Sequence, residues 1–118
     1  MDDDMDDDMD GDVDGDMWDA VEALAARLDT YGDLPVQQRR LLQLLKITEE
    51  AGEVAQAVIG ATGQNPRKGF SHTWEDVQAE VCDVVITALV ALVRLTPEAR
   101  RVFAAHLERV AARELPGR

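Results

Sequence analysis

The sequence predicts an all-α fold of four helices, which we expect to form a bundle completed by dimerisation. After residue 16, apolar side chains recur at the three-and-four spacing of amphipathic helices. No segment alternates apolar and polar side chains as a half-buried strand does. Alanine and leucine, both good helix formers, are abundant. These three observations favour helices packed on helices, without a sheet.

Residues 1–16 form an Asp-rich segment that we expect to be a disordered tail. The segment contains ten aspartates and no base, so it carries most of the net charge of −12. Its charges repel one another, and it offers little apolar surface to a core. The folded domain is therefore expected to cover residues 17–118.

Glycine and proline bound the first two helices of this domain. The first is expected from Met17 to Gly32, before Pro35. The second is expected from about Val36 to Ile59, and is ended by the glycines that follow. Its main apolar face is predicted to contain Leu44, Ile47, Ala51, Val54, Ala55 and Val58.

Threonines mark the starts of the last two helices. The third is expected from about Trp74 to Leu95, with Thr73 as its N-cap and Asp76 completing an acidic variant of the capping box. The fourth is expected to restart at Thr96, which caps it, with Pro97 at the first helical position.

The third helix carries acidic groups on an apolar surface. Residues 77–93 are nearly all apolar, so we expect this helix to be buried around most of its circumference, with Cys82 in the core. At about 100° per residue, the exceptions Glu80 and Asp83 fall on one narrow polar seam. An ionised carboxylate taken out of water is costly unless another group compensates its charge.

The second helix adds a further set of carboxylates. Glu49, Glu50 and Glu53 share a stripe with Lys46, which can pair with Glu50 but cannot neutralise the whole set. Together with the acidic pair on the third helix, they predict a shared divalent cation site. All-oxygen ligation suits Mg²⁺, with Mn²⁺ as its substitute, and does not suit zinc. The alternative is a solvated acidic face, with the third-helix pair on an oligomer rim.

Charge, cysteine content and apolar run length restrict the class of protein. A net-acidic chain without a basic stripe will not bind nucleic acid through its phosphates. The single cysteine excludes an intramolecular disulfide and favours a reducing, cytoplasmic location. The acidic N-terminus is unlike a secretory signal, and the apolar run of residues 84–93 is too short to span a bilayer, so no membrane partner is expected.

The spacing of the acids resembles a known family signature. Residues 49–53 (EEAGE) followed by residues 80–83 (EVCD) resemble the EExxE…ExxD signature of the all-α nucleoside triphosphate pyrophosphohydrolases, and the MazG-like branch most closely. The resemblance extends through residues 46–54 (KITEEAGEV), 65–69 (NPRKG) and 73–77 (TWEDV), and covers residues 44–93.

The resemblance implies a MazG-like bundle and a Mg²⁺-dependent cut between the α- and β-phosphates of a nucleoside triphosphate. The products are a nucleoside monophosphate and pyrophosphate, as in house-cleaning of the nucleotide pool. Carried over by position, the metal ligands are Glu50, Glu53, Glu80 and Asp83. Glu49 matches the acid that orients or deprotonates the attacking water. Members of the family form dimers or tetramers, which implies a homodimer or homotetramer here.

Basic residues near these acids are candidates for binding the substrate. Lys46 lies on the carboxylate stripe, and Arg67 and Lys68 are adjacent bases in the loop before the third helix. The loop pair either contacts triphosphate oxygens or is a solvated loop charge. His72 and His106 have no ligand spacing and are expected to be ordinary surface or boundary histidines.

Two other classes of protein remain as alternatives. A di-iron or di-manganese carboxylate bundle also uses glutamates on paired helices, but it requires Glu-x-x-His pairs that this chain lacks. A non-catalytic helical oligomeric interaction module that retains the carboxylate motif is the other alternative. Pyrophosphate release in the presence of Mg²⁺ would separate such a module from an enzyme.

Overall fold

The computed structural model describes the backbone of residues 2–115 and 117, and the side chains of residues 14–115 and 117. Its four helices are α1 (Asp2–Asp29), α2 (Val36–Ala61), α3 (Trp74–Leu95) and α4 (Ala99–Glu114). The prediction of an all-α fold is confirmed, because the described residues form no strand beyond one isolated bridge between Asn65 and Gly69. No helix in this part of the chain combines the length and apolarity that a membrane crossing requires.

The start of α3 is the one that the sequence predicts. The Thr73 hydroxyl accepts a hydrogen bond from the Asp76 amide at 3.1 Å, and the Asp76 carboxylate accepts one from the Thr73 amide at 2.9 Å. This reciprocal pair satisfies two amides that the first helical turn leaves unpaired. Its hydrogen bond from the Thr73 backbone is the main reason why the pKa of Asp76 is lowered.

Helix α4 begins two residues later than predicted, at Ala99 instead of Pro97. Thr96 has extended backbone and donates its amide to Leu92, so it ends α3. Its hydroxyl accepts from the Glu98 amide at 3.1 Å and stabilises a turn, after which α4 begins at Ala99.

Helix α1 begins at Asp2, earlier than the predicted start near Met17. Trp18 is the first buried side chain among those described. The side chains of residues 1–13 lie outside the described residues, so the disordered tail and the domain boundary at residue 17 stay predictions.

Helices α2 and α3 pack against each other as an antiparallel hairpin. Every α2 residue that is not exposed lies on one stripe at helical spacing, and that stripe faces α3. Its members are Arg39, Gln43, Ile47, Glu50, Val54, Ala57, Gly60 and Ala61. The predicted apolar face is therefore only partly correct: Ile47 and Val54 lie on the stripe, whereas Leu44 and Val58 are exposed. A glutamate, Glu50, occupies the middle of the helix–helix contact.

A small apolar core lies where α1 meets the C-terminal half of α3. Trp18, Val21 and Ala25 of α1 pack with Leu89 and Val90 of α3. The Trp18 ring also meets Phe103 of α4 edge to face, with ring centroids 6.1 Å apart. This core fixes α1 on α3 and leaves the N-terminal half of α3 to α2.

The expected burial of α3 around most of its circumference is wrong for a single chain. Val81, Val85 and Ile86 are exposed, because α1, α2 and α4 cover only part of the helix. Cys82, which we expected in the core, is exposed as well. Among the described residues, no large side chain is fully buried.

Candidate metal centre

The hairpin brings together three of the predicted metal ligands. Glu50 of α2 faces Glu80 and Asp83 of α3, and one carboxylate oxygen from each lies within 4.8 Å of the others. Glu50 and Glu80 are half-buried in the helix–helix contact, whereas Asp83 is exposed at its edge. The cluster therefore joins two helices that are far apart in sequence.

Polar contacts on both sides of the cluster fix the register of the two helices. Towards the start of α2, the Gln43 amide donates to the Thr87 carbonyl at 3.3 Å, and Arg94 donates to the Gln43 side-chain oxygen at 2.8 Å. Towards the end of α2, the Ser71 amide donates to the Gly60 carbonyl at 3.1 Å. A register shift would break these contacts, so they keep Glu50 opposite Glu80.

The carboxylates of the cluster repel one another, and this repulsion affects the pKa of Glu80. Desolvation is the main reason why the pKa of Glu80 is raised, and the neighbouring Asp83, Glu53 and Glu50 carboxylates raise it further. His72 acts in the opposite direction. The described residues form no ion pair with the cluster, and the predicted Lys46–Glu50 pair is not among their salt bridges. A bound cation would relieve this repulsion.

The donor set of the cluster fits a hard divalent cation. All three donors are carboxylate oxygens, which suit Mg²⁺ or Mn²⁺. Ligand oxygens on opposite sides of one Mg²⁺ are about 4 Å apart, because each lies about 2.1 Å from the ion. A small side-chain rotation would thus bring the three groups within binding distance.

The other predicted acidic residues lie beside this group of three. Glu53 is exposed on α2, three residues after Glu50, and its charge raises the pKa of Glu80, but it is not a member of the group. Glu49 is exposed on α2, next to Glu50. The structure thus assembles part of the predicted ligand set.

The predicted basic residues occupy both sides of the cluster. On the side nearer the start of α2, Lys46 borders a hollow whose lining is partly apolar and also includes Arg27. In the loop between α2 and α3, the amides of Arg67 and Lys68 donate to the Asn65 side-chain oxygen at 2.9 and 3.1 Å. Both loop side chains are exposed, and Lys68 also lines a polar hollow at the end of α2.

Sequence reasoning missed the position of His72. His72 borders the polar hollow at the end of α2 together with Gln56 and Gly60, and its ring nitrogen Nδ1 is 2.9 Å from the Ser71 hydroxyl. The residue that could have indicated this position in the sequence is Gly60. A Cβ added there would overlap with Nδ1 of His72, so the close approach of the loop requires glycine.

Comparisons of the chain with models of protein families, with curated proteins and with solved structures found no match. The likeness to MazG-like pyrophosphohydrolases therefore rests on the residues of this chain alone.

Proposed function

We propose that this chain is a cytoplasmic, Mg²⁺-dependent nucleoside triphosphate pyrophosphohydrolase. It would cleave between the α- and β-phosphates and release a nucleoside monophosphate and pyrophosphate. The observation that carries the proposal is the cluster of Glu50, Glu80 and Asp83, which is shared by two helices and in which the two glutamates are half-buried. The order and spacing of the acids, which resemble the EExxE…ExxD signature, support it.

The cluster is a better metal site than an arbitrary group of surface acids. Glu50 and Glu80 lie in a helix–helix contact where two apolar residues would pack more favourably, and no described base pairs with them. A function that needs both carboxylates explains this arrangement.

Each residue has a distinct part in the proposed reaction. Glu50, Glu53, Glu80 and Asp83 would hold the ion, which supplies charge neutralisation to the polyphosphate and Lewis-acid activation of the phosphoryl group. Glu49 would orient the attacking water and accept its proton. The water oxygen bonds to the α-phosphorus while the bond from that phosphorus to the bridging oxygen breaks, and this oxygen leaves with the pyrophosphate.

The proposed substrate contacts come from the bases on either side of the cluster. Lys46, Arg67 and Lys68 would contact the negatively charged triphosphate. Without these three bases, the carboxylates of the cluster would repel a triphosphate that carries no bound Mg²⁺.

Pyrophosphate release with Mg²⁺ and a panel of nucleoside triphosphates tests the proposal. We expect Glu50→Gln and Asp83→Asn to abolish turnover while the helical circular dichroism spectrum persists. Glu108→Gln is the matched control, since Glu108 is an exposed acid on α4 outside the cluster. Turnover by either cluster variant at the rate of the wild type would refute the metal-ligand assignment.

We also propose that the chain forms a homodimer or homotetramer. Large apolar side chains stay exposed on both helices of the hairpin, and they include Leu41, Leu45, Ile59, Val81 and Val85. Burial of such a surface against another copy would stabilise the hairpin through the hydrophobic effect. Light scattering that shows a monomer across the micromolar range would contradict this.

The same apolar surface favours the second candidate, a non-catalytic helical oligomeric interaction module. Such a module would associate without releasing pyrophosphate from any nucleotide. The turnover assay therefore separates the two proposals, whatever the oligomeric state.

A further inference from the structure

A polar hollow of about 260 Å³ lies where α2 runs into the loop before α3. It is bordered by Gln56, Ile59 and Gly60 of α2 and by Asn65, Lys68, Ser71 and His72 of the loop, so Ile59 is its one large apolar side chain. Gln56 follows Glu53 by one helical turn, so the hollow begins beside the carboxylates along the same face of α2.

The hollow is built by a close approach of the loop to α2. A Cβ on Gly60 would lie 2.1 Å from Nδ1 of His72 and 2.5 Å from the Ser71 hydroxyl oxygen, so any larger residue would displace both side chains. The Ser71 amide is bonded to the Gly60 carbonyl, and Asn65 holds the amides of residues 67 and 68. The backbone that carries Lys68 and His72 is therefore held in place without a ligand.

The chemistry of the hollow suits an anion. Lys68 supplies a positive charge and three N–H donors. When the Ser71 hydroxyl donates to Nδ1 of His72, the proton of a neutral ring is on Nε2, which can then donate to a ligand oxygen. Because the hollow begins one helical turn after Glu53, an anion in it would be repelled by the carboxylates unless a cation lay between them, and this couples the hollow to the metal centre.

The two hollows on either side of the carboxylate cluster differ in their lining, and this difference predicts which end of the substrate binds in each. On the other side of the cluster, towards the start of α2, lies the hollow that Lys46 borders. Its lining combines the apolar side chains of Leu24, Leu28, Ile86 and Val90 with the polar or charged Arg27, Gln43, Lys46 and Thr87. Four apolar side chains offer a nucleoside more contact than the single Ile59 of the polar hollow does, so we place the nucleoside here and the phosphates beyond the cut on the opposite side.

We propose that the polar hollow binds the β- and γ-phosphates of the substrate, the part that leaves as pyrophosphate, through Lys68 and His72. This inference rests on the proposed function. It gives His72 a role in binding, whereas the sequence predicts an ordinary surface histidine.

Imidazole NMR of the full chain with pyrophosphate and Mg²⁺ tests the proposal without turnover. We expect the signals of His72 to shift, while those of His106, which lies on α4 beside Arg109, stay in place. Pyrophosphate without Mg²⁺ should shift them far less, because the acidic groups repel it. Equal shifts at both histidines, or none at His72, would overturn the inference.

Two pairs of variants sharpen the test. Lys68→Met should weaken pyrophosphate binding about tenfold, the effect of losing one charged hydrogen bond, whereas Arg101→Met removes a distant charge and should change it less than twofold. Gly60→Ala displaces the side chains of Ser71 and His72 and should prevent the His72 shift. Gly52→Ala is its control, because nothing lies within 4 Å of the added Cβ. If Gly60→Ala does not fold, the Lys68 pair decides alone.

The outcomes for the hollow and for the enzyme are distinguishable. Turnover of nucleotides without a His72 shift would leave the proposed function standing and refute the hollow. A His72 shift with pyrophosphate but no turnover would refute the proposed function, and with it the assignment of the hollow to a substrate, and would leave only a pyrophosphate-binding site. A shift caused by uridine or adenosine, which carry no phosphate, would show a nucleoside pocket instead and overturn the proposal.

Discussion

Replacing Gln43 by leucine should destabilise the hairpin, even though it adds an apolar residue to a helix–helix contact. Gln43 is 3% exposed and bridges two groups of α3. Its amide donates to the Thr87 carbonyl, and its oxygen accepts from Arg94, whose side chain is 8% exposed and also pairs with Asp29 at 3.1 Å. Leucine can do neither, so a buried guanidinium loses one of its partners.

The magnitude follows from the bonds that are lost. A hydrogen bond to a charged group contributes about 1.5–3 kcal/mol to the free energy of unfolding, and the longer bond to Thr87 adds less. The apolar side chain of leucine returns about 1 kcal/mol through burial. We therefore expect Gln43→Leu to cost about 1–2 kcal/mol, and the pair Gln43→Leu with Arg94→Met to cost less than the sum of the single changes.

Urea unfolding followed by far-UV circular dichroism, at one protein concentration, measures these differences. Gln38→Leu is the matched control, since Gln38 is exposed on α2, and we expect it to change stability by less than about 0.5 kcal/mol. Equal stability of Gln43→Leu and the wild type would refute the bridging role of Gln43. So would single changes that add within about 0.5 kcal/mol.

Three further predictions address the cluster, the cap and the tail. The raised pKa of Glu80 means that the folded state favours the protonated form of this side chain. The metal-free protein should therefore lose stability as the pH rises above 4.5, the ordinary pKa of a glutamate. Thermal unfolding in EDTA should show that loss, and Glu80→Gln should reduce it; an unchanged pH dependence in that variant would contradict the assignment. Thr73→Ala removes the cap of α3 and should cost about 1 kcal/mol in urea unfolding, whereas an unchanged midpoint would show that the cap is dispensable. Deleting residues 1–16 should leave pyrophosphate release at saturating Mg²⁺ largely intact, and complete loss would refute the view of this segment as a tail.

The sequence predicted local features better than contacts between helices. The start of α3 was predictable because its cap is formed by Thr73 and Asp76, which are neighbours in the chain. The start of α4 was predicted two residues too early: the Thr96 amide donates to Leu92 of α3, and the Thr96 hydroxyl accepts from the Glu98 amide in a turn that precedes α4. The start of α3 follows from a short sequence pattern, a threonine followed three residues later by an acid. The start of α4 depends on how the turn after Thr96 is hydrogen-bonded, which no such pattern specifies.

The inward face of α2 could not be read from hydrophobicity. The contact with α3 contains Gln43 and Glu50, while the more apolar Leu44 and Leu45 remain exposed. Hydrophobic periodicity identifies the most apolar stripe of a helix. It does not tell whether that stripe packs inside its own chain or remains on the surface of that chain. The same reasoning, applied to α3, wrongly placed Cys82 in the core.

The acidic positions were the more predictable part of the site. Carboxylate pairs at helical spacing on two helices were expected to meet, and Glu50, Glu80 and Asp83 do. The place of His72 was not predictable, because it depends on how closely the loop approaches Gly60, a distance that no spacing rule supplies.

The exposure of Cys82 provides a natural attachment site for a probe on α3. It is the sole thiol in the sequence, and it is accessible on α3, next to Asp83. One maleimide dye or nitroxide would therefore attach at a single known position without any engineered residue. Its rate of attachment at increasing protein concentration would show directly whether a second copy covers this side of α3.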